Sequence, residues 1–224
     1  MKEENIHNFP KPSVTVDMVI YTIHENDLKI LLVKRGIEPF KDKWALPGGF
    51  VRIEESLEDA AKRELQEETG VKDVYLEQLY SFGEPKRDPR GRVITIAYIA
   101  LVNSENVNLK STTDVSEVQW FSIKKIPSLA FDHKKILEYS LKRLRWKFEY
   151  TTVAFSMLPK KFTLSQMQKI YEIVFNKKFD KRNFAKKILS LDILKEEEIK
   201  KDVSYRPPML YSLKKDIGEI IEIL

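Results

Sequence analysis

A pair of glycines followed by acidic residues at fixed spacing constrains this chain more than any other feature. The segment reads Gly49-x5-Glu55-x7-Arg63-Glu64-Leu65-x-Glu67-Glu68-x-Gly70-Val71. Residues three and four apart share one face of a helix, so Glu64, Glu67 and Glu68 are predicted to lie side by side. Adjacent carboxylates repel one another, and a divalent cation that prefers oxygen ligands removes that repulsion. The segment therefore predicts a metal site on a helix that follows a glycine-rich loop.

The same segment contains the residues that begin and end an α-helix. Ser56, followed three residues later by Asp59, predicts an N-terminal cap, and Gly70 suits the left-handed conformation that ends many helices. Apolar residues between these ends recur at helical spacing and predict the buried face: Leu57, Ala60, Ala61 and Leu65. A helix between Ser56 and Gly70 is therefore expected.

Individual residues of the segment have separate predicted roles. Arg63 lies four residues before Glu67 and is expected to hold that carboxylate in place. Glu64 and Glu68 then remain available for a metal ion, and Gly49 lets the main chain come close enough for a loop carbonyl to join them. An ordinary acidic surface helix is the alternative. The complete spacing favours the metal site over it.

The segment matches every fixed position of the Nudix hydrolase signature, and the chain resembles that family. The resemblance implies cleavage, dependent on Mg²⁺ or Mn²⁺, of a nucleoside diphosphate linked to another group. Bound Mg²⁺ would act as a Lewis acid and as a source of hydroxide. Glu64 and Glu68 are the expected first metal ligands, with Glu67 sharing the ion or binding a second one. Arg63 is expected to orient them, and Glu55 to support the loop and the helix N-terminus.

The composition excludes several classes of protein. The chain of 224 residues contains no cysteine, so disulfides and thiolate metal sites are excluded. Its first residues lack the apolar run of a signal peptide, and no segment approaches the roughly 18 apolar residues of a membrane-spanning helix. A soluble cytoplasmic protein of one large or two small domains is expected.

Charge is distributed unevenly along the chain. Residues 131–224 carry 21 lysines and arginines against 13 acidic residues, a net charge of +8, whereas the whole chain carries +5. The stretch 141–190 is steeper, with 13 basic and 3 acidic residues. A basic half suggests a polyanionic partner, and a solvated lysine-rich surface is the alternative. We predict a boundary near Pro127, with one domain over 1–127 and a second over 128–224.

The first of these domains reads as an α/β fold. Alternating or continuous apolar runs predict strands at 14–21, 28–34, 74–82, 92–102 and 115–121, with the longest of them, 92–102, in the centre of a sheet. The acidic helix interrupts the series. Strands with an intervening helix predict an α/β sandwich, the fold that the family resemblance also implies.

The second domain reads as three helices followed by a short strand. Helices are predicted from Asp132 to about Tyr150, after Thr163, and over 181–191 with Asp180 as its cap. This order is typical of a winged helix-turn-helix, in which the later helix enters the DNA major groove and the wing touches the backbone. The residues predicted to contact DNA are Lys181, Arg182, Asn183, Lys186 and Lys187 of the third helix and Arg206 of the wing. A helical appendage that dimerises an enzyme is the alternative.

A closer resemblance covers nearly the whole chain. The runs FDHKKILEYSLKRLRWKFEYTTVAFSMLPKKFTLSQMQKIYE, DKRNFAKKIL and RPPMLYSL are similar to the C-terminal region of Nudix-related transcriptional regulators, and VDMVIYT, KDKWALPGGFV and VITIAYIALV to their N-terminal domain. The resemblance implies a Nudix domain that binds ADP-ribose or a similar metabolite and a winged helix that binds operator DNA as a dimer. Their usual theme is NAD metabolism or sugar use. The catalytic signature has decayed in many such regulators, but here it is intact, which favours retained hydrolysis.

Substrate contacts are predicted from basic and aromatic residues near the loops. Arg35 follows a strand and could meet phosphate, and Lys86, Arg87 and Arg90 lie in a proline-rich loop that could clamp phosphates or the terminal ribose. Trp44 could stack on adenine. Surface loop arginines and a buried packing tryptophan are the alternatives. Asp114 and Glu117 are weaker candidates for a catalytic base outside the helix.

Three functional hypotheses follow from the sequence. The chain is a DNA-binding regulator with an active ADP-ribose-type Nudix domain, a housekeeping Nudix hydrolase whose basic domain only dimerises, or a sensor that binds nucleotide without turnover. NADH and sugar-linked nucleotides also fit a metal-bound pyrophosphate.

Overall fold

The structure is a computed structural model and describes residues 10–70, 74–102, 115–197, 208–215 and 221–223. Its elements follow one another in the order β1 (Ser13–His24), β2 (Asp27–Arg35), β3 (Trp44–Ala45), β4 (Gly48–Phe50), α1 (Leu57–Thr69), β5 (Tyr75–Phe82), β6 (Val93–Leu101), β7 (Val115–Ser122), α2 (His133–Tyr150), a 3-10 helix (Thr152–Met157), α3 (Leu164–Phe175), α4 (Lys181–Ser190), β8 (Leu194–Glu197) and β9 (Leu210–Leu213).

A mixed sheet of seven strands forms the centre of the N-terminal half. Its main order is β3-β2-β1-β6-β5, with β7 paired to β2 and β4 paired to β1. β1 runs parallel to β6 and antiparallel to β2 and β4. Because β1 and β6 lie between other strands and are covered on both faces, they are apolar along nearly their whole length. The predicted strand 92–102 is therefore confirmed, and its central position is shared with β1.

Two helices cover opposite faces of this sheet. α1 buries Ala60, Ala61 and Leu65 against β1 residues such as Met18. α2 buries its apolar stripe against the other face, which includes Val19, Tyr21 and Ile99: the stripe consists of Ile136, Leu137 and Leu144. Alternate residues of β1 thus serve two separate cores. The predicted α/β sandwich is confirmed, and α2 supplies its second helical layer.

The C-terminal half is a small helical domain with a two-stranded hairpin. α3 begins with a reciprocal capping box between Thr163 and Gln166, and the Asp180 carboxylate accepts from the backbone N–H of Asn183 to cap α4. β8 and β9 follow α4 in the chain and pair antiparallel. The predicted helices and the final strand are confirmed, and α4 ends at Ser190. β8 had no signal in the sequence, because Leu-Lys-Glu-Glu is short and polar.

The two halves share a continuous apolar core. Phe148 near the end of α2 packs edge-to-face on Tyr171 of α3, and Tyr171 contacts Phe184 of α4. These side chains belong to the same buried cluster as the α2 face of the sheet. α2 therefore joins the sheet to α3 and α4 through packed side chains. No helix in the described part of the chain is long and apolar enough to cross a bilayer.

Candidate functional site

Arg63 organises the acidic residues of α1 and of the loop before it. Its Nε and Nη2 donate to the two carboxylate oxygens of Glu55 at 3.0 and 2.7 Å. Its Nη1 donates to Glu64 Oε1 at 2.6 Å and to Glu67 Oε2 at 3.4 Å, and its Nη2 reaches the Phe50 carbonyl at 3.2 Å. One guanidinium thus fixes three carboxylates and the loop, where the sequence predicted one contact, that with Glu67.

The two carboxylates nearest Arg63 are in different electrostatic environments. Hydrogen bonds from Arg63 and from the backbone N–H of Arg52 lower the pKa of Glu55 to about 2. Burial raises the pKa of Glu64, although its ion pair with Arg63 opposes that rise. Glu55 is therefore held as a fixed anion that anchors the arginine. Glu64, whose side chain is 9% exposed, is a carboxylate that a further cation would stabilise.

The glycine pair allows the loop to lie directly against α1. A Cβ atom added to Gly49 would lie 2.2 Å from Oε1 of Glu64, and one added to Gly48 would lie 2.2 Å from the carbonyl oxygen of Val16. Gly48 also has a φ of +155°, which L side chains rarely adopt. Both positions therefore require glycine for the main chain to approach as closely as it does.

The donor set on α1 suits a hard divalent cation. Glu64 and Glu67 both contact Nη1 of Arg63, so two carboxylates from one helix face converge on one cationic centre. The side chain of Glu68 lies outside the described residues. Among the side chains that are described, no group of three or more histidines, cysteines or acids is close enough to hold a metal.

A cleft of about 500 Å³ opens between this acidic cluster and the first turn of α2. Its polar wall contains carboxylates, guanidinium groups and one imidazole from six separate segments of the chain: Asp17, Arg35, Arg52, Arg63, Glu64, Glu67, Arg87, Asp88, Arg90 and His133. Gly48 and Gly49 form another part of the wall. The cleft has the size of a small-molecule site and combines acids that suit a cation with arginines that suit phosphate.

The cleft arginines are held by neighbouring carboxylates. Arg87, whose side chain is 3% exposed, donates to both carboxylate oxygens of Asp132 at 2.8 and 3.1 Å and to Asp17 at 3.2 Å. Arg90 makes a bidentate pair with Asp88 at 2.7 and 3.0 Å and is 40% exposed. The guanidinium of Arg90 therefore lies at the cleft opening, and that of Arg87 lies deep in its wall.

His133 lies at the base of the cleft in the first turn of α2. Its Nδ1 accepts a hydrogen bond from the backbone N–H of Leu46 at 2.9 Å, and its Nε2 is 3.7 Å from a carboxylate oxygen of Asp17. Burial lowers the pKa of the imidazole, although the Asp17 carboxylate opposes that effect. The neutral form, with the proton on Nε2, satisfies both contacts.

A second cluster of charged residues lies on α4. Phe184 and Ile188 are buried beneath the helix, and the polar residues on its outer face are all exposed: Lys181, Arg182, Asn183, Lys186 and Lys187. Within the described part of the chain these cations make no ion pair. The sequence predicted this outward orientation from helical spacing. Arg206, the predicted wing residue, lies outside the described residues.

Comparison with known proteins identifies both halves. The Nudix domain model matches residues 11–140, more than half of the chain. The chain belongs to the Nudix family. A second model, the NrtR DNA-binding winged helix domain, matches residues 154–213. The Nudix domain therefore contains the cleft, and the winged helix contains α3, α4 and the β8–β9 hairpin.

Individual relatives match this Nudix protein over much of its length. An ADPR responsive transcriptional repressor, NtrR, from Acinetobacter baylyi is 37% identical over 208 residues, which cover 91% of this chain and 83% of the repressor. An ADP-ribose pyrophosphatase from Methanocaldococcus jannaschii is 44% identical over 61% of this chain and 75% of its own. The crystal structure of Shewanella oneidensis NrtR with a 27mer DNA has a TM-score of 0.79 at 35% identity and covers 93% of this chain and 97% of that one.

The Nudix cleft brings together most, but not all, of the residues predicted to bind substrate. Arg35, Arg87 and Arg90 line it. Lys86 is exposed and lines a neighbouring cavity of about 400 Å³ instead. Trp44 is not among the cleft residues and packs edge-to-face on Phe121 with ring centroids 4.6 Å apart, which is the packing alternative that its sequence context left open. Glu117 pairs with Lys34 outside the cleft at 3.8 Å, and Asp114 lies outside the described residues.

Sequence reasoning missed several residues of the Nudix cleft. Asp17, Asp88, Phe131 and His133 all line it. Asp17 had a signal that was available, because a charge inside an otherwise apolar strand is rarely buried without a role. His133 follows the predicted helix start at Asp132, but nothing local in the sequence indicates that it reaches Leu46.

Proposed function

We propose that this Nudix protein is an ADP-ribose-responsive transcriptional regulator, with a cleft that binds ADP-ribose and a winged helix that binds operator DNA. The ligand and the regulatory role are those named for the A. baylyi relative. The observation that carries the proposal has two parts. One cleft contains both arginines and acids, and α2 connects that cleft to the exposed basic helix α4.

The cleft suits a diphosphate that is bridged by a metal ion. Glu64 and Glu67 would hold Mg²⁺ together with Glu68 and a main-chain oxygen near Gly49, as the signature predicts. When bound, the ion would polarise a phosphate oxygen and increase the acidity of a water molecule. Arg63 contributes by keeping the carboxylates at fixed positions, so the site is preorganised before the ligand arrives.

The arginines of the cleft divide the recognition of the ligand. Arg90 and Arg35 would bind the anionic phosphates, since their guanidinium groups can form two parallel hydrogen bonds to phosphate oxygens. Arg87 would join them where the ligand displaces part of its contact with Asp132. The exposed Lys86 lines the neighbouring cavity and could at most contact the distal end of a ligand.

DNA recognition is proposed for α4 and the hairpin that follows it. Lys181, Arg182 and Asn183 form the first turn of α4, where side chains of a recognition helix reach base edges and phosphates. Lys186 and Lys187 lie one turn later on the same exposed side. We also retain the predicted boundary near Pro127, with 1–127 and 128–224 as the two domains, and the predicted homodimer, whose two copies would bind two half-sites.

The experiment is a DNA-binding titration on the full chain. Fluorescence anisotropy with a labelled duplex from the region upstream of its own gene should show binding that weakens steeply with salt, as expected for phosphate contacts. ADP-ribose should then change the dissociation constant. A dissociation constant that is the same for this duplex and a scrambled one, at every ADP-ribose concentration, would contradict the regulatory proposal.

Hydrolysis is a second candidate activity, favoured by the complete signature. Every acid of the motif is present, and Arg63 contacts three of them. With Mg²⁺ the chain should cleave ADP-ribose to AMP and ribose 5-phosphate, which chromatography would detect. Binding of ADP-ribose in calorimetry without any product would instead support the sensor hypothesis.

A further inference from the structure

The start of α2 is built into the ligand cleft. Phe131 and His133 line the cleft, and Asp132 between them binds a cleft arginine. The same helix ends in the C-terminal domain, where Phe148 packs on Tyr171 of α3. One continuous helix therefore has its first residues at the proposed nucleotide site and its last turn in the core of the DNA-binding domain.

Asp132 occupies the N-cap position of α2, but its side chain does not cap the helix. It precedes the first residue of α2, where an aspartate normally accepts a hydrogen bond from the helix backbone, yet its side chain makes no such bond. Both of its carboxylate oxygens instead accept from Arg87. Arg87 is also paired with Asp17 of β1, so a nearly buried guanidinium ties the sheet to the start of α2.

Two further arginines of the cleft, Arg35 and Arg90, also contact the start of α2. The guanidinium carbons of Arg35 and Arg90 lie 5.0 and 5.7 Å from the centre of the Phe131 ring, within cation–π distance. Phe131 has a φ of +50°, which is uncommon for a residue other than glycine. All three arginines predicted to bind phosphate are thus in contact with residues 131–133.

We infer that residues 131–133 couple the nucleotide cleft to the DNA-binding domain, because a bound diphosphate competes with Asp132 for Arg87. The inference rests on the proposed function and adds the residues that transmit the signal. Phosphate oxygens and a carboxylate offer the same bidentate geometry to a guanidinium, so they are direct competitors. A ligand that draws Arg87 towards the cleft weakens the contact between Arg87 and the start of α2. Because coupling is reciprocal, protein that is bound to DNA then has a different affinity for that ligand.

The test uses Asp132→Asn in the full chain. Removing the competing charge should tighten ADP-ribose binding by about threefold or more in calorimetry, since Arg87 is released in advance. In the wild type, saturating ADP-ribose should shift the dissociation constant for upstream DNA by about fivefold or more, and in the variant by less than about twofold. Glu138→Gln is the matched control, because it removes one carboxylate from the exposed face of the same helix.

The outcomes distinguish failure of the coupling role from failure of the proposed regulatory function. Wild-type protein with no ADP-ribose effect on DNA binding would remove the proposed function and the inference together. A wild-type effect that persists at full size in Asp132→Asn would overturn the coupling role alone. Asp132→Ser serves as a second variant, because serine lacks the charge and can cap the helix. Asp132→Ser should show the same reduced effect of ADP-ribose on DNA binding as Asp132→Asn. An ADP-ribose effect of wild-type size in both variants would overturn the inference.

Discussion

Cations of the Nudix cleft and cations of α4 are used in opposite ways. In the Nudix half, Arg63, Arg87 and Arg90 each have carboxylate partners within 3.2 Å. On α4, exposed cations have no ion pair within the described part of the chain: Lys181, Arg182, Lys186 and Lys187. Paired cations position other side chains, and unpaired exposed ones remain available for a polyanion. The pairing pattern therefore distinguishes cations that position other side chains from cations available to bind a polyanion, a distinction that net charge does not show.

This difference predicts opposite responses to salt. Exposed cations that release counterions on binding DNA lose affinity steeply as salt rises. Pairs that are partly buried, such as Arg87 with Asp132, are screened much less. Nucleotide binding in the cleft should accordingly be less sensitive to salt than DNA binding by the same molecule.

Glu64→Gln should have the largest effect, on the paired side of the comparison. The substitution keeps the shape of the side chain but removes the buried charge at the proposed metal site, so Mg²⁺-dependent hydrolysis of ADP-ribose should fall on the order of 1000-fold. Initial rates with Mg²⁺ would measure it. Glu58→Gln is the control on the same helix, since Glu58 pairs with the exposed Lys62. Equal losses in the two variants would show that general helix charge, and not this position, matters.

Gly49→Ala should have the next largest effect. The new methyl group would lie 2.2 Å from Glu64 Oε1, so either the loop or the carboxylate must move by about 1 Å. A displacement of that size at a reacting centre can cost about 100-fold in rate. Gly83→Ala is the control, because a Cβ there meets nothing closer than 3.8 Å. Full activity of Gly49→Ala would mean that the close contact between loop and helix is not needed for catalysis.

Arg182→Ala should have a smaller effect, on the unpaired side. Loss of one phosphate contact should weaken DNA binding by about five- to tenfold and reduce the slope of log K against log salt by about 0.9. Anisotropy titrations at several salt concentrations give both numbers. Lys178→Ala is the control, since that lysine is paired with Glu172 at 2.8 Å. An unchanged slope for Arg182→Ala would place the DNA on another surface.

Most of the fold could be predicted because its signals are local. The Ser56 cap, the Asp180 cap and the left-handed Gly70 each depend on residues within four positions, and all three are confirmed. The hairpin turn at Glu25 and Asn26, with φ of 53° and 60°, is similarly local. β8 could not be predicted, because its polar residues become a strand only by pairing with β9, more than ten positions away.

The site was predictable only as far as one contiguous motif reaches. Arg63 meets Glu67 at helical spacing, and that contact follows from the sequence. The Arg87 contacts with Asp132 and Asp17 span 45 and 70 positions, and the His133 contact with Leu46 spans 87. The periodicity of helices and strands cannot predict contacts between residues so far apart in the sequence. Arg87 lines the cleft, and its predicted role in substrate binding stays a prediction; its dependence on α2 required the folded chain.

His133 gives the smallest prediction and tests the buried side of the comparison by pH. Burial lowers the pKa of its imidazole below the usual value of about 6.5, so the unfolded chain takes up a proton that the folded chain refuses. The contribution of the neutral imidazole to the free energy of unfolding is therefore fully present above about pH 6.5. It is lost as pH falls, by up to ~1.4 kcal/mol at pH 5.5. Urea unfolding at pH 7.5 and 5.5 should show a shallower pH dependence for His133→Gln than for wild type. His24→Gln, on a turn where the side chain is 51% exposed, is the control. Because Asp17 attracts the protonated ring from 3.7 Å, the observed loss should be smaller than that limit. An identical pH dependence in His133→Gln and wild type would mean that this imidazole does not stay neutral when the chain folds.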